Sequence, residues 1–497
     1  MRAATRLPVL SCAEAAAAEA AFLGGDAALS WRLMNLAADG VAAEARALLG
    51  RVPRRILVLA GKGNNGADAF LAALRCARPG SEILAVFADG GPARAQAQRA
   101  WAVRKQGVRL GVVAAADLPK LAAQEFCLIF DGILGQGFRA PLPAELRSFL
   151  RATEALRGLR VAVDLPSGLG DDATGPAFRA DLTVSLGCLK RPLLGPKAAR
   201  FVGRLRVIDL GLPLDETEEA CATAASLAPL RRPRRASSDK RQQGRVLVVG
   251  GSDRMPGAVL MNTAAALRSG AALVTTCLPE SVRAKAAVAY PEAMWRGLTT
   301  GRNGVIAPAN LKEIRALLPD KDALLIGSGM GEPATRLIGA VAARCPAALV
   351  LDADALRPAV IAASRRAPVR VLLPHGGEFR RLSGRDASVP AARAYARRTN
   401  TIVVLKGALT CVTDGTRMLH VPFGGPVLAR GGSGDLLAGI VASVLARRQE
   451  LGLSAFDAVV LAATWHARAA DWLRDSRGEE AVRTTDLLAG LSPVLRG

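Results

Sequence analysis

Two fused α/β domains, each built on a parallel sheet, are predicted for this chain by three observations. Its 497 residues exceed what one ordinary hydrophobic core organises and suit two or three domains. Short β-branched runs alternate with Ala-rich helical stretches along the chain, the rhythm of βαβ units with helices over a parallel sheet. One segment near residue 220 lacks that rhythm and divides the runs into two series with no common repeat period.

The first series comprises "RRILVLAG" (54–61), "EILAVFAD" (82–89), "CLIFDG" (127–132), "RVAVDLPSG" (160–168) and "RLRVIDLG" (204–211). The second comprises "GRVLVVGGS" (244–252), "ALLIGSGMG" (323–331), "ALVLDADAL" (348–356), "VRVLLPHGGEF" (369–379) and "NTIVVLKGA" (400–408). Between them "LDETEEACATAASLAPLRRPRRASSDKRQQ" carries an acidic cluster, then a Pro-broken basic cluster, and no strand pattern. The predicted division is a first domain over 1–220, a linker over 221–243 and a second domain over 244–497.

Composition narrows the function classes. The formal charge of +23 favours anionic partners, but only 10 of the 66 basic residues are lysine and aromatic residues make up 4%. This Ala- and Arg-rich usage fits a GC-rich genome, and no basic block interleaved with aromatics marks a nucleic-acid surface. Eight dispersed cysteines without a C-x-x-C pair suggest neither a zinc knuckle nor a redox dithiol. The opening "MRAATRLPVLSCAEAAAAEAA" has too short an apolar stretch, followed by Glu14 and Glu19, for a secretory signal. No uncharged apolar run approaches the ~18 residues of a membrane span, and a cytoplasmic protein is expected.

In the first domain "LAGKGNNGADAF" follows a strand and opens a helix, with Gly61, Gly63 and Gly66 at G-x-G-x-x-G spacing. That spacing serves either a tight βα turn or a ligand approaching a helix N-terminus. Asn64, Asn65 and Asp68 favour the second reading, because a carboxylate is ill placed beside a pyrophosphate but suits sugar hydroxyls or a cation. Asp131 and Asp164 each end a strand, where open α/β sheets bind ligands.

Together "GKGNNGADA", "DGILGQGFR" and "VDLPSG" resemble the NAD(P)H-hydrate epimerase domain, a Rossmann-like fold that interconverts the epimers of the hydrated cofactor. The resemblance implies substrate contacts from Asn64, Asn65, Gly66, Ala67 and Asp68 and from the turn Gly135, Gln136, Gly137, Phe138, Arg139, Ala140 and Pro141. It implies a K⁺ ion near Asn65, Asp131 and Ser167, and Asp164 as acid/base. Ala67 and Ala69 replace glycines usual in the family, and "RLMNLAADG" matches its N-terminal helix motif only loosely.

In the second domain "ARGGSGDLLAGIVASVLARR" strips side chains from a helix start and then supplies one carboxylate. Leu436, Leu437, Ile440, Val441, Val444 and Leu445 share a helical face, with Arg447 and Arg448 near the C-terminal end. The bare N–H groups of Gly431, Gly432, Ser433 and Gly434 can receive developing negative charge beside Asp435, which the helix start is expected to keep ionised. Such a base beside an anion hole suits phosphoryl transfer to a hydroxyl. His375 in "LPHGGEF", Lys406 in "VLKGALT", and Gly327, Gly329 and Gly331 at another strand end accompany it. No G-x-x-x-x-G-K-[ST] motif is present.

In order, "VLVVGGSDRMPGA", "GSGMG", "LDADAL", "LLPHGGEF", "VLKGALT" and "GGSGDLLAGI" resemble the ribokinase-like ADP- or ATP-dependent NAD(P)H-hydrate dehydratase. The resemblance implies hydrate contacts from Ala258, Gly329 and His375, with Asp435 the catalytic base. It assigns the adenine nucleotide to Lys406, Gly407, Ala408, Leu409, Thr410, Gly432, Ser433 and Gly434, and Mg²⁺ is expected because the transferring phosphoryl group needs its charge neutralised. Arg430 stands where the family prefers Thr.

The expected protein is therefore a bifunctional metabolite-repair enzyme acting on hydrated NADH and NADPH, a homo-oligomer without nucleic-acid or membrane partners. A ribokinase-like kinase of a vitamin precursor, such as hydroxyethylthiazole or hydroxymethylpyrimidine, is the alternative that "GGSGD" alone allows. A dehydrogenase would use Asp89 on the ribose, but no hydride-transfer site follows it. A non-enzymatic nucleic-acid module would rest on charge alone.

Overall fold

The computed structural model describes residues 4–173, 175–195, 197–234, 236, 239 and 243–496. The chain forms two compact units, Met1–Cys221 and Ala222–Gly497.

The first unit runs β1 (Arg6–Leu10), α1 (Cys12–Leu23), α2 (Ala27–Leu49), β2 (Arg55–Ala60), α3 (Asn64–Cys76), β3 (Glu82–Phe87), α4 (Ala95–Ala102), β4 (Arg109–Val113), β5 (Glu125–Gly132), α5 (Ala144–Thr153), β6 (Arg157–Val163), β7 (Leu182–Leu186), β8 (Leu189–Lys190), α6 (Ala199–Val202) and β9 (Arg204–Ile208). Seven strands form a parallel sheet in the order β4-β3-β2-β5-β6-β7-β9. Along β2, Ile56 and Val58 enter one core with Phe70 of α3 and Val41 of α2, while Leu57 and Leu59 enter another with Phe149 of α5. Burial on both faces explains why these strands read as continuous apolar runs.

The order reverses between β2 and β5, so the crevice at their carboxyl ends is the topological switch point. Glycines let the turn after β2 close against that crevice. A Cβ on Gly61 would lie 2.0 Å from the Ile133 carbonyl oxygen, and one on Gly66 2.6 Å from that of Gly61. Gly63 has open space around it, so the turn itself does not require it. Gly61→Ala is expected to destabilise the first unit by about 3 kcal/mol through overpacking, read as a lower denaturation midpoint.

The "MRAATRLPVLSCAEAAAAEAA" stretch is built into this unit. β1 runs parallel beside β8, pairing Val9 with Leu189 and Leu10 with Lys190. Ser11 caps α1 in a reciprocal box with Glu14, and Asp171 accepts the Cys12 and Ala13 N–H groups at 2.8 and 3.1 Å.

β10 (Glu219–Ala222) and α7 (Ala228–Arg231) fall in the segment read as strand-free. Ala220, Cys221 and Ala222 are buried, and such small side chains leave no β-branched signature. Positions 235, 237, 238 and 240–242 of the expected linker lie outside the described residues.

The second unit continues with β11 (Arg245–Val249), α8 (Pro256–Arg268), β12 (Leu273–Pro279), α9 (Glu280–Ala289), β13 (Met294–Leu298), α10 (Leu311–Ala316), β14 (Ala323–Ile326), α11 (Thr335–Ala342), β15 (Ala348–Leu351), α12 (Pro358–Ala363), β16 (Arg370–Leu372), α13 (Gly376–Ser383), α14 (Val389–Thr399), β17 (Ile402–Leu405), β18 (Thr410–Thr413), β19 (Met418–Val421), α15 (Ser433–Ala446) and α16 (Ala455–Arg477). Its strands run β13-β12-β11-β14-β15-β16-β17-β18-β19, parallel through β17 and antiparallel for the last two pairings. Here the reversal lies between β11 and β14, and the loops after β14 and β15 open on it. Among the described residues no disulfide joins any of the eight cysteines, and all but Cys127 are buried. Among the described residues no helix is long and apolar enough to cross a membrane.

Candidate functional sites

The first site gathers at the ends of β2, β5 and β6. Asp131, the penultimate residue of β5, is fully buried. Its carboxylate accepts from the Ser167 hydroxyl at 2.6 Å, the Ser167 N–H at 2.7 Å and the Ile133 N–H at 3.3 Å. Burial pushes its pKa up to about 6 and these hydrogen bonds restrain the rise. Ser167 Oγ also accepts from the Leu134 N–H at 2.8 Å, and Asn65 donates to the Leu134 carbonyl at 2.8 Å. The three residues assigned to a cation thus meet around one loop. A buried carboxylate with a hydroxyl and an amide, and no ion pair among the described residues, is an oxygen donor set suited to a hard monovalent ion.

Asp164 follows β6 with φ of 66°, a left-handed conformation that Asp tolerates better than most side chains. It is 5% exposed and pairs at 2.5 Å with the ammonium of Lys190, itself 1% exposed. The Leu186 N–H also donates to it, at 3.1 Å. Burial works most strongly against the Lys190 charge, but Asp164, Cys188 and Glu19 together outweigh it and raise the lysine's pKa. Asp68, in the first turns of α3, has its carboxyl raised well above the usual range by burial, then by Glu19 and Asp164. Its Oδ1 and that of Asn64 are enclosed without a hydrogen-bond partner, as expected of groups that await a ligand.

The turn Gly135–Pro141 lies beside them. Gln136 donates to the carboxylate of Glu19, Arg139 folds back on the Gln136 and Phe138 carbonyls, and Phe138 packs near Gly170. Gly137 has open space around it. Ala67 lies elsewhere: its side chain is fully buried in the α2–α3 core, so only its backbone remains to meet a ligand.

At the second site Gly432 caps α15 with φ of 89°, and Asp435 occupies the first turn. Asp435 is half-buried. Desolvation, then the negative charge of Asp352, push its pKa up to about 6, against the pull of Lys406 and a hydrogen bond from Ser328. The helix start therefore does not hold it at an ordinary carboxylate value, because burial and a second carboxylate outweigh it. The resulting value is that of a base poised near neutrality.

Lys406, following β17, lies 3.1 Å from Asp352 and 3.8 Å from Glu378. A Cβ on Gly434 would come 3.1 Å from its Nζ, so the ammonium reaches the first turn of α15. Burial opposes its charge, but Asp352, Glu378 and Asp435 raise its pKa overall. Ser328 Oγ donates to Asp352 at 3.3 Å. Asp354 accepts the Gly331 N–H at 2.7 Å, locking "LDADAL" to "GSGMG". Gly329, with φ of 68°, sits against α8, where its Cβ would be 3.0 Å from that of Ala258. Ala258 and Gly329 are thus neighbours.

His375 is the cap of α13. Its Nδ1 accepts from the Gly377 and Glu378 N–H groups at 3.0 and 3.3 Å, and its side chain, 61% exposed, has Nε2 3.6 Å from the Glu378 carboxylate. Ser433 Oγ lies 3.4 Å from Nε2 of His466, whose pKa burial lowers to about 4, so that this histidine is neutral. Arg430 donates to the Glu479 and Glu480 carbonyls, and Thr484 to that of Gly431 at 2.7 Å. Arg430 thus braces the loop rather than aiming at its centre.

Sequence reasoning missed Lys190 and Glu19 at the first site and Asp352, Glu378, Ser328 and His466 at the second. Asp352, Glu378 and Ser328 stand inside motifs that carried the resemblance and could have been found there. Lys190 and Glu19 had no such signal.

A family model described as NAD(P)H-hydrate dehydratase matches residues 246–492, and one described as YjeF-related protein N-terminus matches 30–192. The chain is 33% identical over 473 residues to a bifunctional NAD(P)H-hydrate repair enzyme of Moorella thermoacetica, covering 89% of this chain and 88% of that one. It is 34% identical over 468 residues to the enzyme of that name from Gloeobacter violaceus, with the same coverage of both chains. Among solved structures, an ADP/ATP-dependent NAD(P)H-hydrate dehydratase from Bacillus subtilis, co-crystallised with ATP and Mg²⁺, is 26% identical with a TM-score of 0.46, covering 55% of this chain and 96% of that one.

Proposed function

The chain belongs to the bifunctional NAD(P)H-hydrate repair enzymes, and from that membership we propose how its residues divide the work. Residues 1–220 carry the epimerase site, 244–497 the dehydratase site, and 221–243 join them. The observation that carries this reading is Asp435 at the glycine-capped start of α15, beside Lys406 and Asp352.

In the second site Asp435 removes the proton from the hydrate's hydroxyl, which then accepts a phosphoryl group from ADP or ATP. The backbone N–H groups of Gly432, Ser433 and Gly434 receive charge that develops during transfer. Departure of phosphate restores the nicotinamide ring. Lys406 to Thr410 hold the nucleotide, while Ala258, Gly329 and His375 line the hydrate. Asp352 and Glu378 are shared with Lys406, and among the described residues no group of three or more His, Cys, Asp or Glu side chains is arranged to hold a metal. Mg²⁺, which neutralises phosphoryl charge, would therefore be carried mainly by the nucleotide's own phosphates. The vitamin-kinase alternative predicts a stable phosphorylated product instead of free phosphate and reduced cofactor.

In the first site Asp164 is the acid/base, and Asn64 to Asp68 with the Gly135–Pro141 turn contact the substrate. Asn65, Asp131 and Ser167 would hold K⁺, which would supply a fixed positive charge to offset the buried Asp131 carboxylate. The test is absorbance at the reduced-nicotinamide band with enzyme, Mg²⁺, K⁺ and either nucleotide acting on mixed epimers. Complete recovery is expected; recovery that stops at the S fraction would leave only the dehydratase reading. Light scattering tests the expected homo-oligomer.

A pH dependence follows. Asp435 must be deprotonated to act, and its pKa stands near 6. Dehydration of the S epimer is therefore expected to hold above that pH and fall about tenfold per unit below it, measured as kcat at saturating nucleotide. A profile flat to pH 5 would remove Asp435 as the base.

A further inference from the structure

We propose that Glu19 is a second catalytic residue of the first site, transferring a proton opposite Asp164. This inference rests on the epimerase reading of that unit.

Inverting the hydrated ring carbon requires two proton movements. When the carbon–nitrogen bond opens, the hydroxyl proton goes to Asp164 and that carbon becomes an aldehyde. The electron pair of the broken bond stays on the ring nitrogen, which must take a proton from a second group. Rotation about the neighbouring carbon–carbon bond presents the other face of the aldehyde, and the reverse transfers close the ring. One carboxylate and one carboxylic acid meet this need, provided their surroundings hold them in different protonation states.

The fold supplies that pair. Asp164 has Lys190 at 2.5 Å as its counter-charge. The β1–β8 pairing places α1 next to Lys190, and Asp171 fixes the start of that helix. Glu19, two turns along α1, is bonded by Gln136 of the substrate turn. The charged groups around Glu19 are Asp164, Lys190 and Arg94, with Asp68 in the same field. Burial, then Asp164, raise the Glu19 pKa; Lys190, Gln136 and Arg94 oppose the rise without cancelling it. Asp68 comes from α3 and is the rival donor.

The test starts from the pure R epimer without adenine nucleotide and follows the R:S ratio by chromatography across pH. Glu19→Gln is expected to lower kcat about 100-fold with KM within about threefold, and to abolish the alkaline fall of the wild-type profile. Glu19→Asp is expected to regain most of the rate, which separates proton transfer from a folding defect. The proposal is overturned if Glu19→Gln keeps its kcat, if its loss lies wholly in KM with the alkaline fall intact, or if Asp68→Asn instead removes that fall. A wild-type protein that leaves the ratio at its uncatalysed drift would remove the epimerase reading itself, and this proposal with it.

Discussion

Asp435→Asn is expected to lower nucleotide-dependent recovery of reduced nicotinamide from the S epimer about 10³-fold, the scale on which a positioned general base acts. Asparagine keeps the size of the side chain but cannot take the hydroxyl proton. The fold around it should survive, because Asn262 bonds the backbone carbonyl of residue 435 rather than its carboxylate. Removing a carboxylate that Asp352 already repels also relieves a buried like-charge contact. Nucleotide affinity, measured by calorimetry, should therefore stay within about threefold, less than 1 kcal/mol. Loss of nucleotide binding together with activity would mark Asp435 as a structural residue of the helix start.

Asp164→Asn is expected to stop consumption of the R epimer while the S epimer is still dehydrated. Asparagine tolerates the φ of 66° at this position, so the backbone is not the cause of any loss. The change also strands the Lys190 ammonium in the interior. Breaking a buried pair from one side costs about 3–5 kcal/mol, so the first unit should melt markedly lower. Lys190→Met strands Asp164 in the same way, and the double variant should recover stability but not R-epimer turnover. An R-epimer rate unchanged in Asp164→Asn would take Asp164 out of the mechanism.

What the sequence revealed follows from how local each signal is. Strand runs such as "RRILVLAG" and "ALVLDADAL" are fixed by apolar side chains on both faces of a central strand, so their positions could be read directly. Strands such as β7 (Leu182–Leu186) and the hairpin of β18 and β19 are too short for their pattern to stand out from their surroundings. Loop residues at strand ends, among them Asp131, Asp164 and Asp435, were legible because glycine and an abrupt polar residue interrupt an apolar run. Lys190 and Glu19 are not, since the first depends on a pairing between strands about 180 residues apart in sequence and the second meets the substrate turn only through the tertiary placement of α1. Asp352 and Glu378 show the intermediate case: their motifs were recognised, but that they share one lysine is a tertiary fact.

The parallel pairing of β1 with β8 has a practical consequence for dissecting the two activities. A fragment trimmed to begin at residue 30 would retain every strand of the seven-stranded sheet, and so could look intact by spectroscopy. It would nonetheless lack the partner strand of Leu189 and Lys190 and the helix that bears Glu19. Silence from such a truncated piece would report the missing wall of its pocket, and would say nothing against the activity of the whole chain.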